Sequence, residues 1–127
     1  MLLFYSSSTN NTKKFVTKLE LPAVQINGEL GADTPLAPFV LFTPTYSNGT
    51  AKGSVPKSVR ALLVKHSELL VAVVGFGNRN FGELFCVGAR LISHRFNVPL
   101  LHCVELAGTT DDVALVTERL EELGYYS

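Results

Sequence analysis

Two short segments of this chain, Pro38-Phe39-Val40-Leu41-Phe42-Thr43 and Leu69 to Gly75, are apolar without alternation. A strand with one wet face alternates apolar and polar residues; a strand that does not alternate is covered on both faces. Stretches of helical spacing separate these segments from each other and from the rest. Val55, Val59, Leu62 and Leu63 place a helix over Val55 to His66, with Pro56 tolerated in its first turn. Phe81, Leu84, Phe85, Gly88, Ala89, Ile92 and Phe96 keep the 3.6 period and predict a long helix ending near Asn97. Strands buried on both faces and interleaved with helices imply a parallel sheet between two helical layers.

Three further strands complete the pattern. Leu2–Tyr5 is short and nearly continuously apolar, Ala23–Ile26 alternates weakly, and Val98 to Leu106 forms the fifth. The helix after the first strand presents Phe15, Val16 and Leu19 on one face and stops before Pro22. The last helix presents Val113, Val116, Leu120 and Leu123, with Thr109-Thr110-Asp111-Asp112 as its N-terminal cap cluster and Gly124 as its stop. Residues 27–38 show no helical period and contain Gly28, Gly31 and Pro35, so that crossover reads as a bare loop. The expected architecture is a doubly wound α/β fold of five parallel strands in the order 2-1-3-4-5. Its switch point lies beside the end of the first strand.

Composition narrows the function classes. At 127 residues the chain is expected to form one domain. Its 11 basic and 11 acidic residues balance without a basic stripe, which argues against a nucleic-acid partner. The longest apolar run, Leu69 to Phe76, falls far short of the ~20 residues a membrane helix needs. The start lacks a basic, then long apolar leader, so a cytoplasmic location is the expectation. Cys86 and Cys103 have no zinc or redox-motif spacing and read as small buried apolar residues, one in a helix and one in a strand. His66, His94 and His102 form no metal-ligand pattern, and no metal site is expected.

In a sheet of this kind the ligand crevice is built by loops at the carboxyl ends of the strands. The first is Ser6-Ser7-Ser8-Thr9-Asn10-Asn11-Thr12, seven small uncharged polar residues opening directly into a helix. Free N–H groups and the helix dipole make such a junction an anion site, although a capped turn would use the same residue types. The second loop runs from Pro44-Thr45-Tyr46-Ser47-Asn48-Gly49 to Gly53, and the third from Gly75-Phe76-Gly77-Asn78-Arg79-Asn80 to Gly82. Together they suit a ligand with a phosphate at one end and a flat hydrogen-bonding ring at the other. Tyr46, Phe76 or Phe81 could cover the ring, and core packing is the competing reading for each. Walker A spacing, GxGxxG, an acidic end to the first strand and a phosphate-loop cysteine are all missing. A mononucleotide flavin fits what remains.

The first loop, Pro44-Thr45-Tyr46, Gly77-Asn78-Arg79-Asn80-Phe81-Gly82, Val98-Pro99-Leu100-Leu101 and Val104-Glu105-Leu106-Ala107-Gly108-Thr109 together resemble the NrdI family. These are flavodoxin-like proteins associated with class Ib ribonucleotide reductase, and the resemblance covers nearly the whole chain. It implies a flavodoxin-like domain over residues 1–127 that binds FMN. Ser6, Ser7, Thr9, Asn11 and Thr12 would hold the phosphate. Thr45, Tyr46, Ser47, Asn48 and Gly49 would border the isoalloxazine on one side, and Gly77, Asn78, Asn80, Phe81 and Gly82 on the other.

The resemblance further implies an accessory redox activator rather than a turnover enzyme, with no catalytic side chain of its own. A reductase would supply electrons, dioxygen would accept them, and a superoxide-level oxidant would pass to the small subunit NrdF to help generate its radical cofactor. Asn10 stands where many relatives have Gly or Glu, Phe76 where a small residue is usual, and Ser47-Asn48-Gly49 where many have consecutive glycines. Two other readings share the fold. One is a conventional flavodoxin-type electron carrier, which a strongly acidic surface would favour and the balanced charge does not. The other is a flavin-free interaction module, which a colourless protein unable to take up FMN would support.

Overall fold

The computed structural model describes residues 2–6, 10–26, 37–45, 55–78 and 85–124. Five parallel strands, β1 (Leu2–Ser6), β2 (Val24–Ile26), β3 (Phe39–Pro44), β4 (Leu70–Gly77) and β5 (Leu100–Glu105), form one sheet in the order β2-β1-β3-β4-β5. Among the described residues four α-helices, α1 (Asn10–Lys18), α2 (Lys57–His66), α3 (Val87–Phe96) and α4 (Thr110–Glu122), accompany it, with a 3-10 turn at Ser67–Leu69 leading into β4. This is the expected strand order. Residues 27–36, most of the crossover read as a bare loop, lie outside the described residues.

The two-faced burial that dictates a parallel sheet is clearest in β3, where all six residues are buried. Val40 and Phe42 face one core with Leu3, Val74 and Leu101, closed by Phe15 and Val16 of α1 and Val116 and Leu120 of α4. Phe39 and Leu41 face the other with Phe4 and Val73, closed by Val59, Leu62 and Leu63 of α2 and Ala89 and Ile92 of α3. Each core gains about 25 cal/mol per Å² of apolar surface removed from water, so both helical layers are held by the same alternating side chains. Where α3 crosses β4, a Cβ on Gly75 would lie 2.3 Å from Cys86 Sγ and 2.4 Å from Ala89 Cβ. Only a residue without a side chain permits that approach.

Strand ends shift by one or two residues from the sequence reading, and the boundaries of α2, α3 and β5 differ for physical reasons. Pro56 lies just before α2 rather than inside its first turn, with extended backbone (φ −58°, ψ 148°). The long helix predicted from Phe81 begins at Val87, because Cys86 takes a left-handed conformation (φ 62°) that breaks helical geometry. Cys86 therefore precedes the helix, although it is buried as expected; Cys103 in β5 is half-buried, and neither cysteine is in a disulfide. β5 is shorter than Val98 to Leu106 at both ends: Val98 and Pro99 precede it, and Leu106 turns away with φ +55°. At the last helix the reading holds. Thr109 caps α4 in a capping box with Asp112, and Gly124 follows its end with φ +93°.

Candidate functional site

The switch point is occupied by β1, which hydrogen-bonds to β2 on one side and β3 on the other. Connections diverge from this strand, so a crevice opens beyond its carboxyl end. Ser6, its last residue, is buried. α1 begins four residues later with Asn10, Asn11 and Thr12 in its first turn, where the backbone N–H groups have no helical acceptor. Thr12 is fully buried, and its hydroxyl has no hydrogen-bond partner among the described residues. A buried hydroxyl left this way costs about 1–3 kcal/mol.

Around the corner, Asn11, Pro44, Thr45, Phe76, Gly77, Asn78 and Leu106 line a crevice of about 150 Å³. It draws on the first turn of α1 and the carboxyl ends of β3, β4 and β5. None of these side chains titrates in the physiological range. Phe76 is 2% exposed and packs edge-on to Phe15 with ring centroids 5.2 Å apart. Core packing therefore decides the reading of Phe76: it forms the floor of the crevice and is not free to swing over a ring.

Thr45 is also committed. Its hydroxyl accepts a 3.2 Å hydrogen bond from the N–H of Gly88, in the first turn of α3. Cys86 immediately before α3 offers no side-chain cap, so a residue 43 positions away in sequence satisfies that helix end instead. Cys86 itself makes no candidate nucleophile, since its hydrogen bond with Cys103 and then its burial push the thiol far above the usual range.

The structure thus brings together Ser6, Asn11 and Thr12 at the switch point, and Thr45, Gly77 and Asn78 along the crevice. Ser7, Thr9, Tyr46, Ser47, Asn48, Gly49, Asn80, Phe81 and Gly82 lie outside the described residues.

Two features escaped the sequence reading. The first is Leu106, which lines the crevice instead of continuing β5. The N–H of Gly108 donates to Glu105 O at 3.0 Å, closing a turn whose second residue is Leu106 in the left-handed region. That conformation costs an L-residue about 1–2 kcal/mol. The turn ends on Gly108 (φ +77°), where a Cβ would lie 2.7 Å from the Phe15 ring. Gly108, two residues beyond, was the available signal that the strand had already ended.

The second feature is His102, to which no role was assigned. Its Nε2 lies 2.7 Å from Asp112 Oδ1 and ties β5 to the first turn of α4. Burial pushes the Asp112 carboxyl up, but the hydrogen bonds from His102 and from the Thr109 N–H and hydroxyl outweigh it and hold the group below its usual range.

Comparison with known proteins adds a family to this geometry. The family model described as NrdI flavodoxin-like matches residues 3–118. The chain is 43% identical over 127 residues to Protein NrdI of Mycoplasmoides gallisepticum, covering 96% of this chain and 84% of that one. It is 42% identical over 119 residues to Protein NrdI of Paracoccus denitrificans, with 91% and 86% covered. For Protein NrdI of Erwinia tasmaniensis the identity is 37% over 124 residues, with 95% and 91% covered. Among solved structures, a short-chain flavodoxin associated with a PDU bacterial microcompartment superposes with a TM-score of 0.70 at 16% identity, covering 98% of this chain and 97% of that one. That likeness concerns the fold alone.

Proposed function

The chain belongs to the NrdI flavodoxin-like family, and from that premise we propose that it binds FMN, reduces dioxygen to a superoxide-level oxidant, and delivers that oxidant to the ribonucleotide reductase small subunit NrdF. The observation that carries the flavin reading is the buried hydroxyl of Thr12, unpartnered among the described residues, in the first turn of α1 at the switch point of the sheet. A phosphate oxygen would give that hydroxyl an acceptor where the helix dipole and free N–H groups already favour negative charge.

Ser6, Ser7, Thr9, Asn11 and Thr12 would hold the phosphate through hydroxyl, amide and backbone donors. Thr45 to Gly49 would border the ring from the β3 side, and Gly77, Asn78, Asn80, Phe81 and Gly82 from the β4 side. When bound, FMN supplies the chemistry, accepting electrons from a reductase and passing them to dioxygen. The protein's part is to anchor, orient and shield. The described part of the crevice lining suits that division, because its side chains are neutral and include no proton donor of acid–base strength.

The delivery step is tested by mixing the reduced protein, dioxygen and metal-loaded NrdF and measuring radical by electron paramagnetic resonance. The expected result is a radical yield well above that of metal-loaded NrdF with dioxygen alone. An unchanged yield would contradict the proposal.

A further inference from the structure

Four large apolar residues among those described are exposed: Val24, Val64, Leu91 and Leu106. Only Leu106 is among the residues lining the crevice. It is 49% exposed there and holds a backbone conformation that glycine would adopt without strain. Nor is it loosely placed, since its N–H donates a 2.9 Å hydrogen bond to Gly77 O and fastens the ends of β4 and β5 together. A turn that strains its backbone and leaves a leucine half in water gains less for the fold from that side chain than a buried leucine would give. Strain kept at a binding surface points to a use for the group it presents.

We propose that Leu106 is an apolar contact for the flat ring of the flavin, placed by its strained turn to press on the ring once the crevice is filled. The inference rests on the FMN reading above and assigns this side chain a share of the affinity. The contact is with the ring and not the phosphate, so it contributes equally to FMN and to riboflavin.

The test compares Leu106→Gly and Leu106→Ala with the unaltered protein. FMN and riboflavin affinities are measured by fluorescence quenching, and thermal melting is measured without flavin. Both variants should bind both flavins about tenfold more weakly, as expected for the loss of one buried leucine contact. Without flavin, Leu106→Gly should melt at or above the unaltered protein, because glycine relieves the strained position, and Leu106→Ala no higher than Leu106→Gly. Undiminished flavin affinity in both variants overturns the proposal, and so does a flavin-free Leu106→Gly that melts lower, which would make the side chain a structural one. Unchanged flavin affinity with reduced radical yield on NrdF would also overturn it, assigning Leu106 to the partner surface. If the unaltered protein takes up neither flavin, the FMN reading falls first and this inference with it.

Discussion

Under the proposed reading, Thr12 is a side chain that serves a ligand at the expense of the fold. Its hydroxyl is buried without a partner among the described residues, so replacing it with an isosteric methyl removes a desolvation cost of about 1–3 kcal/mol from the flavin-free protein. The same change removes a hydroxyl donor to the phosphate. Thr12→Val should therefore leave flavin-free stability unchanged or raised while weakening FMN at least about tenfold, since hydrogen bonds to charged groups contribute about 1.5–3 kcal/mol. Riboflavin, which lacks the phosphate, should bind the variant as it binds the unaltered protein. Melting curves and paired flavin titrations check both signs, and a drop in stability with equal losses for both flavins would show that Thr12 is a packing residue.

At the scale of elements, the carboxyl side of the sheet is joined to the helices by contacts between residues distant in sequence. Thr45 caps α3 from beyond β3, and His102 of β5 pairs with Asp112 of α4. Asp112 also closes the capping box with Thr109, so one carboxylate secures both the helix end and its attachment to the sheet. Its pKa is lower in the folded chain than in the unfolded one, so the stability it contributes is present above pH ~4 and lost as pH falls through the folded value. Asp112→Ala should lower stability by about 1–2 kcal/mol at pH 7. The deficit should be smaller at pH 2 than at pH 7, because the carboxylate is lost as pH falls through the folded value. Denaturant melts at the two pH values measure it directly.

These cross-element contacts also explain what the sequence does and does not disclose. Non-alternating apolar runs such as Phe39–Phe42 disclose the sheet, because burial on both faces leaves its mark residue by residue. The start of α3 is not legible in the same way. Its apolar period continues back through Phe85 to Phe81, and the break at Cys86 comes from a left-handed backbone with a cap from Thr45, neither of which leaves a local signature. Leu106 misleads for a related reason, since an apolar residue after His102-Cys103-Val104-Glu105 reads as one more strand position. Its turn is visible only through Gly108 and the hydrogen bond that closes it. The polar run from Ser6 to Thr12 is legible because seven consecutive uncharged hydrogen-bonding residues interrupt the apolar pattern between a strand and a helix.

For the whole molecule, the sheet order fixes where a ligand can sit, and family membership narrows what it is. Topology opens the crevice at the end of β1, the first turn of α1 provides donors without a helical acceptor, and β3, β4 and β5 supply a neutral, partly apolar wall. The central claim is that these parts together form a flavin mononucleotide site. Titrating the flavin-free protein with FMN, while following the quenching of flavin fluorescence, tests it most directly. The account predicts saturation at one FMN per chain, and riboflavin binding more weakly by the contribution of the phosphate. A titration with no quenching at any FMN concentration, from a correctly folded and colourless protein, would contradict it.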